Sequence, residues 1–320
     1  KNTYNRIVWG ATREEQERNR KRNHKVFNKR LDAELGGVTP MIIVPGKWTQ
    51  KEIDHQANQI SATKHGNGGH ACISPQVVIV DADWPQKDLF LNRLRHYLAE
   101  APTEVCYYPG GMKNYEKFRM SYPQAQILGQ KKKYFDNQLN PLFIPEVEND
   151  SLALNEEAFT MVLAQTSIKG TGGASLKFLK KAVHFCNEKV LGDLGCSVIV
   201  DPRTARRIGS GLDDCISKLE YGIIGVNIWC GMIAIFPQLT WGAFPGNTAR
   251  NIESGVGQLG NGYMFDQIEK SVLWTPMISP IHLENAKPRT LKVIQRMAYY
   301  VIKPSWMRLL RLWGTLFFGI

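Results

Sequence analysis

Asn67-Gly68-Gly69-His70-Ala71-Cys72 sets a thiol just behind a glycine pair and ahead of an apolar run, Val77-Val78-Ile79-Val80. Glycines let the main chain approach a ligand closely and leave the Cys72 amide able to face a developing oxyanion. A thiol placed there is a candidate nucleophile, provided its surroundings stabilise the thiolate. Taken alone, Cys72 reads more readily as a small buried residue. A second segment changes that balance. Ala33-Glu34-Leu35-Gly36-Gly37 carries a carboxylate at a strand end, before a glycine turn that leads into Val38-Thr39-Pro40-Met41-Ile42-Ile43-Val44. Glu34 and Cys72 together supply a nucleophile and the general base that activates water.

These side chains need a scaffold. Short apolar runs at residues 6–9, 40–44, 76–80, 105–108, 158–163, 197–200 and 223–228 read as strands, and residues 49–64, 86–100, 176–188 and 210–219 read as helices. Strand and helix in alternation imply an α/β sheet with crossover connections. From Pro276 onward the sequence turns basic, aromatic and punctuated by proline, the mark of an appended tail.

Composition narrows the class. The 320 residues are 43% hydrophobic and 10% aromatic, which excludes a disordered chain and leaves ample material for a core. The net charge of +11 points first to a polyanion partner, but two acid-free segments, residues 18–30 and 285–320, each hold seven basic residues and account for more than the whole excess. Residues 18–30 contain one aromatic, Phe27, and read as the solvated face of a surface helix rather than a nucleic-acid site. Residues 305–313 place arginines among Trp, Met and Leu, which fits an amphipathic helix that lies on a membrane surface or docks on its own or a neighbouring subunit. Residues 221–236 are too short for a membrane span and read as a buried strand followed by a loop.

The six cysteines and seven histidines show no metal-ligand spacing, so no metal is expected and the cysteines read as reduced thiols. His70 stands two residues from Cys72, a spacing that does not make a thiol–imidazole dyad, and is expected to line the site. His184, between Val183 and Phe185 on a helical face, is expected in the core. Lys1-Asn2-Thr3-Tyr4 shows no signal-peptide pattern, which with the reduced thiols implies a cytoplasmic protein, membrane-peripheral if the tail binds lipid.

The two segments resemble motifs of the aldehyde dehydrogenases, whose general-base motif reads E-L-G-G-x-x-P and whose nucleophile motif reads N-x-G-x-x-C. Glu34 matches the first; Asn67, Gly69 and Cys72 match the second. The interval between Glu34 and Cys72 is a few residues longer than in the family, which implies a small insertion. Val8-Trp9-Gly10-Ala11-Thr12 resembles the family's F-T-G-S-T turn, with Ala11 where a serine approaches the coenzyme phosphate. Residues 157–163 resemble E-x-F-G-P-V-L, keeping Glu157 and Phe159 and replacing Gly-Pro by Thr160-Met161. Residues 219–227 resemble the L-x-x-G-x-V-x-V-N strand, and Trp241-Gly242-Ala243-Phe244-Pro245-Gly246 stands where the family has P-F-G-G.

The resemblance implies a three-layer α/β/α catalytic domain with only the last part of a Rossmann-like coenzyme domain: residues 1–37 as its remnant, 38–240 as the catalytic domain and 241–320 as a C-terminal segment with a basic tail. It implies NAD- or NADP-dependent oxidation of an aldehyde to a carboxylic acid through a Cys72 thiohemiacetal and thioester, with Glu34 as base. Asn67, Gly69 and His70 would line the oxyanion site, Gly10, Gly36, Glu157 and Phe159 would contact the coenzyme, and Trp229, Phe236 and Trp241 would form an apolar substrate tunnel. The chain is then expected to be an N-terminally truncated part of a homo-oligomeric parent, poorly active alone, with residues 291–320 as a contact for a membrane surface. The competing expectation is a catalytically impaired scaffold or binding protein that keeps the fold.

Overall fold

A computed structural model describes residues 1–129, 135–278 and 288–318. Its framework is an eight-stranded sheet formed by β1 (Thr39–Ile43), β2 (Pro75–Asp81), β3 (Gln126–Ile127), β4 (Leu142–Ile144), β5 (Val162–Ile168), β6 (Gly195–Ile199), β7 (Ile223–Val226) and β8 (Ser271–Trp274). Their spatial order is β8-β7-β6-β1-β2-β5-β4-β3. All neighbours are parallel except the edge strand β3, which runs antiparallel to β4.

The central strands are apolar at successive positions because both faces of the sheet are covered. Side chains alternate across a strand, so Ile42, Val77 and Ile79 enter one core with Phe178 and Leu179 of the helix Ser175–Lys189. Met41, Ile43, Val78 and Val80 enter the other, against Ile53 and Ile60 of the helix Gln50–His65 and Phe90 and Leu94 of the helix Lys87–Glu100. The result is the expected α/β/α sandwich.

Several expectations need correction. Residues 6–9 are not a strand: Asn2–Trp9 is a helix that buries Tyr4, Val8 and Trp9, and the i, i+4 spacing of Tyr4 and Val8 is the signal that the apolar run obscured. The strand read at 158–163 begins only at Val162, because Phe159 takes a left-handed conformation with φ of 48°. His184 is exposed on its helix, which turns Val183, Phe185 and Cys186 inward instead. The surface helix within the basic run ends at Arg22, where Asn23 adopts the left-handed conformation.

Residues 1–278 form one compact unit and residues 279–320 a second. The boundaries drawn at 37/38 and 240/241 therefore fall inside the first unit. Ala33–Glu34 pairs antiparallel with Gly255–Val256, which joins the two expected flanking segments to each other, and β8, from the second of them, extends the main sheet beside β7. In the second unit Pro288–Ile302 and Trp306–Phe318 are helices. Of the expected membrane-contact segment, residues 319 and 320 lie outside the described residues. No helix among the described residues is long and apolar enough to cross a membrane.

Candidate active site

Cys72 and Glu34 both lie before the amino ends of parallel strands. The helix Gln50–His65 ends in a reversal in which Asn67, Gly68 and Gly69 have φ of 56°, 62° and 73°. A four-residue turn follows, closed by the Ser74 N–H donating to the Ala71 carbonyl at 3.0 Å, and it delivers Cys72 just ahead of β2. Glycine is required at position 69 because a Cβ there would stand 2.6 Å from the Thr160 carbonyl oxygen, with φ already left-handed.

Glu34 is held from the other side. Its two-residue strand pairs with Gly255–Val256, the Leu35 N–H donates to the Ser254 carbonyl at 2.8 Å, and the Val38 N–H donates to the Leu191 carbonyl at 2.8 Å as the chain enters β1. Both carboxylate oxygens are engaged: the Cys72 Sγ–H donates to Oε1 at 2.9 Å, and the Trp241 indole N–H donates to Oε2 at 2.5 Å. The Trp229 indole N–H donates to the Ile73 carbonyl at 2.8 Å. Trp229 and Trp241 pack, with Cys72, against the buried cluster of Ile73, Leu194 and Ile223. Phe236, expected beside them, is not part of that cluster.

Burial pushes the Cys72 thiol well above its ordinary value, and the Glu34 hydrogen bond and charge and the more distant charge of Glu157 add to the shift; the Cys72 amide opposes it. The sulfur is therefore protonated at rest, with a carboxylate in place to receive its proton.

The remaining expected residues divide. The Asn67 side-chain amide donates to the His70 carbonyl at 2.8 Å and its oxygen accepts from the Tyr107 hydroxyl at 3.0 Å, so the side chain braces the turn. His70 is buried, with its ring against Tyr107, Tyr108 and Phe159. Its Nδ1 lies 3.0 Å from the Asn67 carbonyl, which can only accept; the proton therefore sits on Nδ1, and Nε2 accepts from the Cys106 thiol at 3.4 Å. Burial lowers its pKa, which keeps the ring neutral.

For a nicotinamide coenzyme the residues fit at one end. Gly36 lies against Glu157, where a Cβ would come 1.8 Å from the Glu157 Oε1, and that oxygen is buried without a hydrogen-bond partner. An orphaned carboxylate oxygen over a glycine, with Phe159 two residues on, suits a sugar hydroxyl beside a flat ring. Gly10 does not fit. The Glu15 carboxylate packs onto it and accepts from the Ala11 N–H at 2.8 Å, which places negative charge where a phosphate would have to bind.

Sequence reasoning missed Lys64. Its ammonium is fully buried and donates to the Ser74 hydroxyl at 3.1 Å, at the far end of the Cys72 turn. Burial lowers Lys64 to about 7 and raises Glu157 to about 7, each against the opposing attraction of the other. A basic residue amid helical polar sequence looks like surface, and only the packing of Gln59 to His65 exposes the difference. A cleft of about 680 Å³ beside Glu146, Lys181 and His184 shares no residue with this site.

No protein-family model and no curated protein matches the sequence. Solved structures match with probability 1.00. The NADP-dependent glyceraldehyde-3-phosphate dehydrogenase from Bacillus halodurans C-125, complexed with NADP, aligns with a TM-score of 0.57 at 18% identity over 77% of this chain and 47% of its own. The NAD-dependent aldehyde dehydrogenase from Sinorhizobium meliloti aligns with a TM-score of 0.57 at 20% identity, over 80% and 46%. Aldehyde dehydrogenase 21 from Physcomitrella patens, in complex with the reaction product succinate, aligns with a TM-score of 0.56 at 18% identity, over 75% and 46%. The chain has the aldehyde dehydrogenase fold. It spans about half the length of the solved structures it matches.

Proposed function

We propose that the chain carries the acyl-forming and acyl-hydrolysing centre of an NAD(P)-dependent aldehyde dehydrogenase, working within a longer, homo-oligomeric parent. The observation that supports this reading is the Cys72 Sγ–Glu34 Oε1 hydrogen bond of 2.9 Å. As the sulfur attacks an aldehyde carbon, the thiol proton passes to Glu34, and the carbonyl oxygen becomes an oxyanion that the Cys72 amide would stabilise. Gly36 and Glu157 would hold the nicotinamide ribose with Phe159 against the ring, and a coenzyme held there would supply the hydride acceptor needed to take the thiohemiacetal to the thioester. Glu34 then releases its proton to solvent and takes one from water as the water attacks the acyl carbon. The acid leaves, and Cys72 sulfur recovers the proton from Glu34. One proton is thereby released to solvent per turnover.

The engaged Asn67 amide and the strongly raised thiol favour the second reading, a binding protein that keeps the fold. NAD(P)H formation by the parent protein from medium-chain and aromatic aldehydes separates the two. Cys72→Ala abolishes it under the enzyme reading; a rate unaffected by Cys72→Ala, or no NAD(P)H from the wild type, overturns it.

A further inference from the structure

The C-terminal unit carries a feature that catalysis does not use. Its two helices close on each other through arginines: Arg296 Nη1 donates to the Arg311 carbonyl at 2.9 Å, and Arg308 Nη1 donates to the carbonyls of Tyr299 and Lys303 at 2.9 and 3.0 Å. Leu312 and Thr315 are buried in this hairpin. The turn of the helix puts Trp306 and Leu310 on the opposite side, and both are exposed, Trp306 by 81% and Leu310 by 68%. Met297, Val301, Ile302 and Met307 are also exposed. A short hairpin with one apolar face closed and a second apolar face in solvent is an interaction surface.

We propose that this face docks on an anionic lipid bilayer, lying in the headgroup boundary without crossing it. Charge selects this occupant. Residues 285–320 contain seven basic residues and no acid, so a second copy would bring cations against cations, whereas anionic headgroups neutralise basic side chains such as Lys292, Lys303 and Arg311, which are exposed. Tryptophan is enriched at such a boundary, where its amphipathic ring sits at the headgroup level. Helices of 15 and 13 residues are too short to span a bilayer but suffice to lie along one.

Co-sedimentation of the full chain with phosphatidylcholine vesicles, with and without phosphatidylserine, tests the proposal. Binding is expected at least tenfold tighter with phosphatidylserine, weakening with salt. Trp306→Gln/Ile302→Gln/Leu310→Gln, at exposed positions, should reduce it at least tenfold with an unchanged circular dichroism spectrum, and Lys292→Glu/Lys303→Glu should remove the preference for anionic lipid. Equal binding by the triple variant overturns the proposal. So does a dimer that the triple variant converts to monomer while vesicle binding is absent, which would assign the face to a second copy.

Discussion

The indole N–H of Trp241 donates to Oε2 of Glu34 at 2.5 Å while Cys72 occupies Oε1, so one carboxylate is held at both oxygens by residues far apart in sequence. A hydrogen bond to a charged acceptor contributes about 1.5–3 kcal/mol. Trp241→Phe removes the donor and keeps most of the ring. Steady-state hydrolysis of p-nitrophenyl acetate, which acylates a thiol without coenzyme, should fall roughly tenfold as Glu34 loses its orientation. The initial burst of nitrophenolate should keep its amplitude, because Cys72 remains. Stopped-flow absorbance reads both.

Glu34→Gln should make the thiol more acidic, since both the hydrogen bond and the charge of Glu34 raise it. Alkylation by iodoacetamide, which consumes thiolate, should speed up several-fold between about pH 7 and 9. A slower reaction of the Cys72-containing peptide, followed by mass spectrometry, contradicts this electrostatic reading.

Lys64 and Glu157 should bend the pH dependence of stability in opposite directions. Between an ordinary 10.5 and a folded value of about 7, unfolded Lys64 holds a proton that the folded chain lacks, so stability rises with pH over that window. Between an ordinary 4.5 and about 7, folded Glu157 holds a proton that the unfolded chain lacks, so stability falls. Each slope is at most about 1.4 kcal/mol per pH unit. In urea unfolding across pH, Lys64→Met should lose the alkaline rise and Glu157→Gln the acidic fall.

Gly69→Ala should cost about 1–3 kcal/mol in urea unfolding, since alanine must adopt φ of 73° with its methyl against the Thr160 carbonyl. Alkylation of Cys72 should change with it, because the same reversal sets the thiol. A variant as stable as the wild type would place the reversal elsewhere than the structure has it.

The sheet was legible wherever both faces of a strand are buried, because runs such as Val77-Val78-Ile79-Val80 leave little choice of element. The Glu34–Cys72 pair was legible as motif spacing, and the structure brings the two into contact. Illegible parts depend on long-range partners. Trp241 read as tunnel wall because nothing local shows that its N–H meets a carboxylate from the other end of the chain. His70 read as site lining because Cys106 and the tyrosines that enclose it arrive from another segment. Residues 6–9 read as a strand because the three adjacent residues Ile7, Val8 and Trp9 outweigh the Tyr4–Val8 spacing of the helix Asn2–Trp9.

The central claim is that Cys72 becomes acylated and Glu34 brings the water that removes the acyl group. The most direct test is mass spectrometry of the chain quenched in acid during turnover of p-nitrophenyl acetate. Acetyl on the Cys72 peptide should be transient in the wild type and absent in Cys72→Ala, and it should accumulate in Glu34→Gln. Acetyl on another residue, or a Glu34→Gln adduct that clears as fast as the wild-type one, would contradict the account.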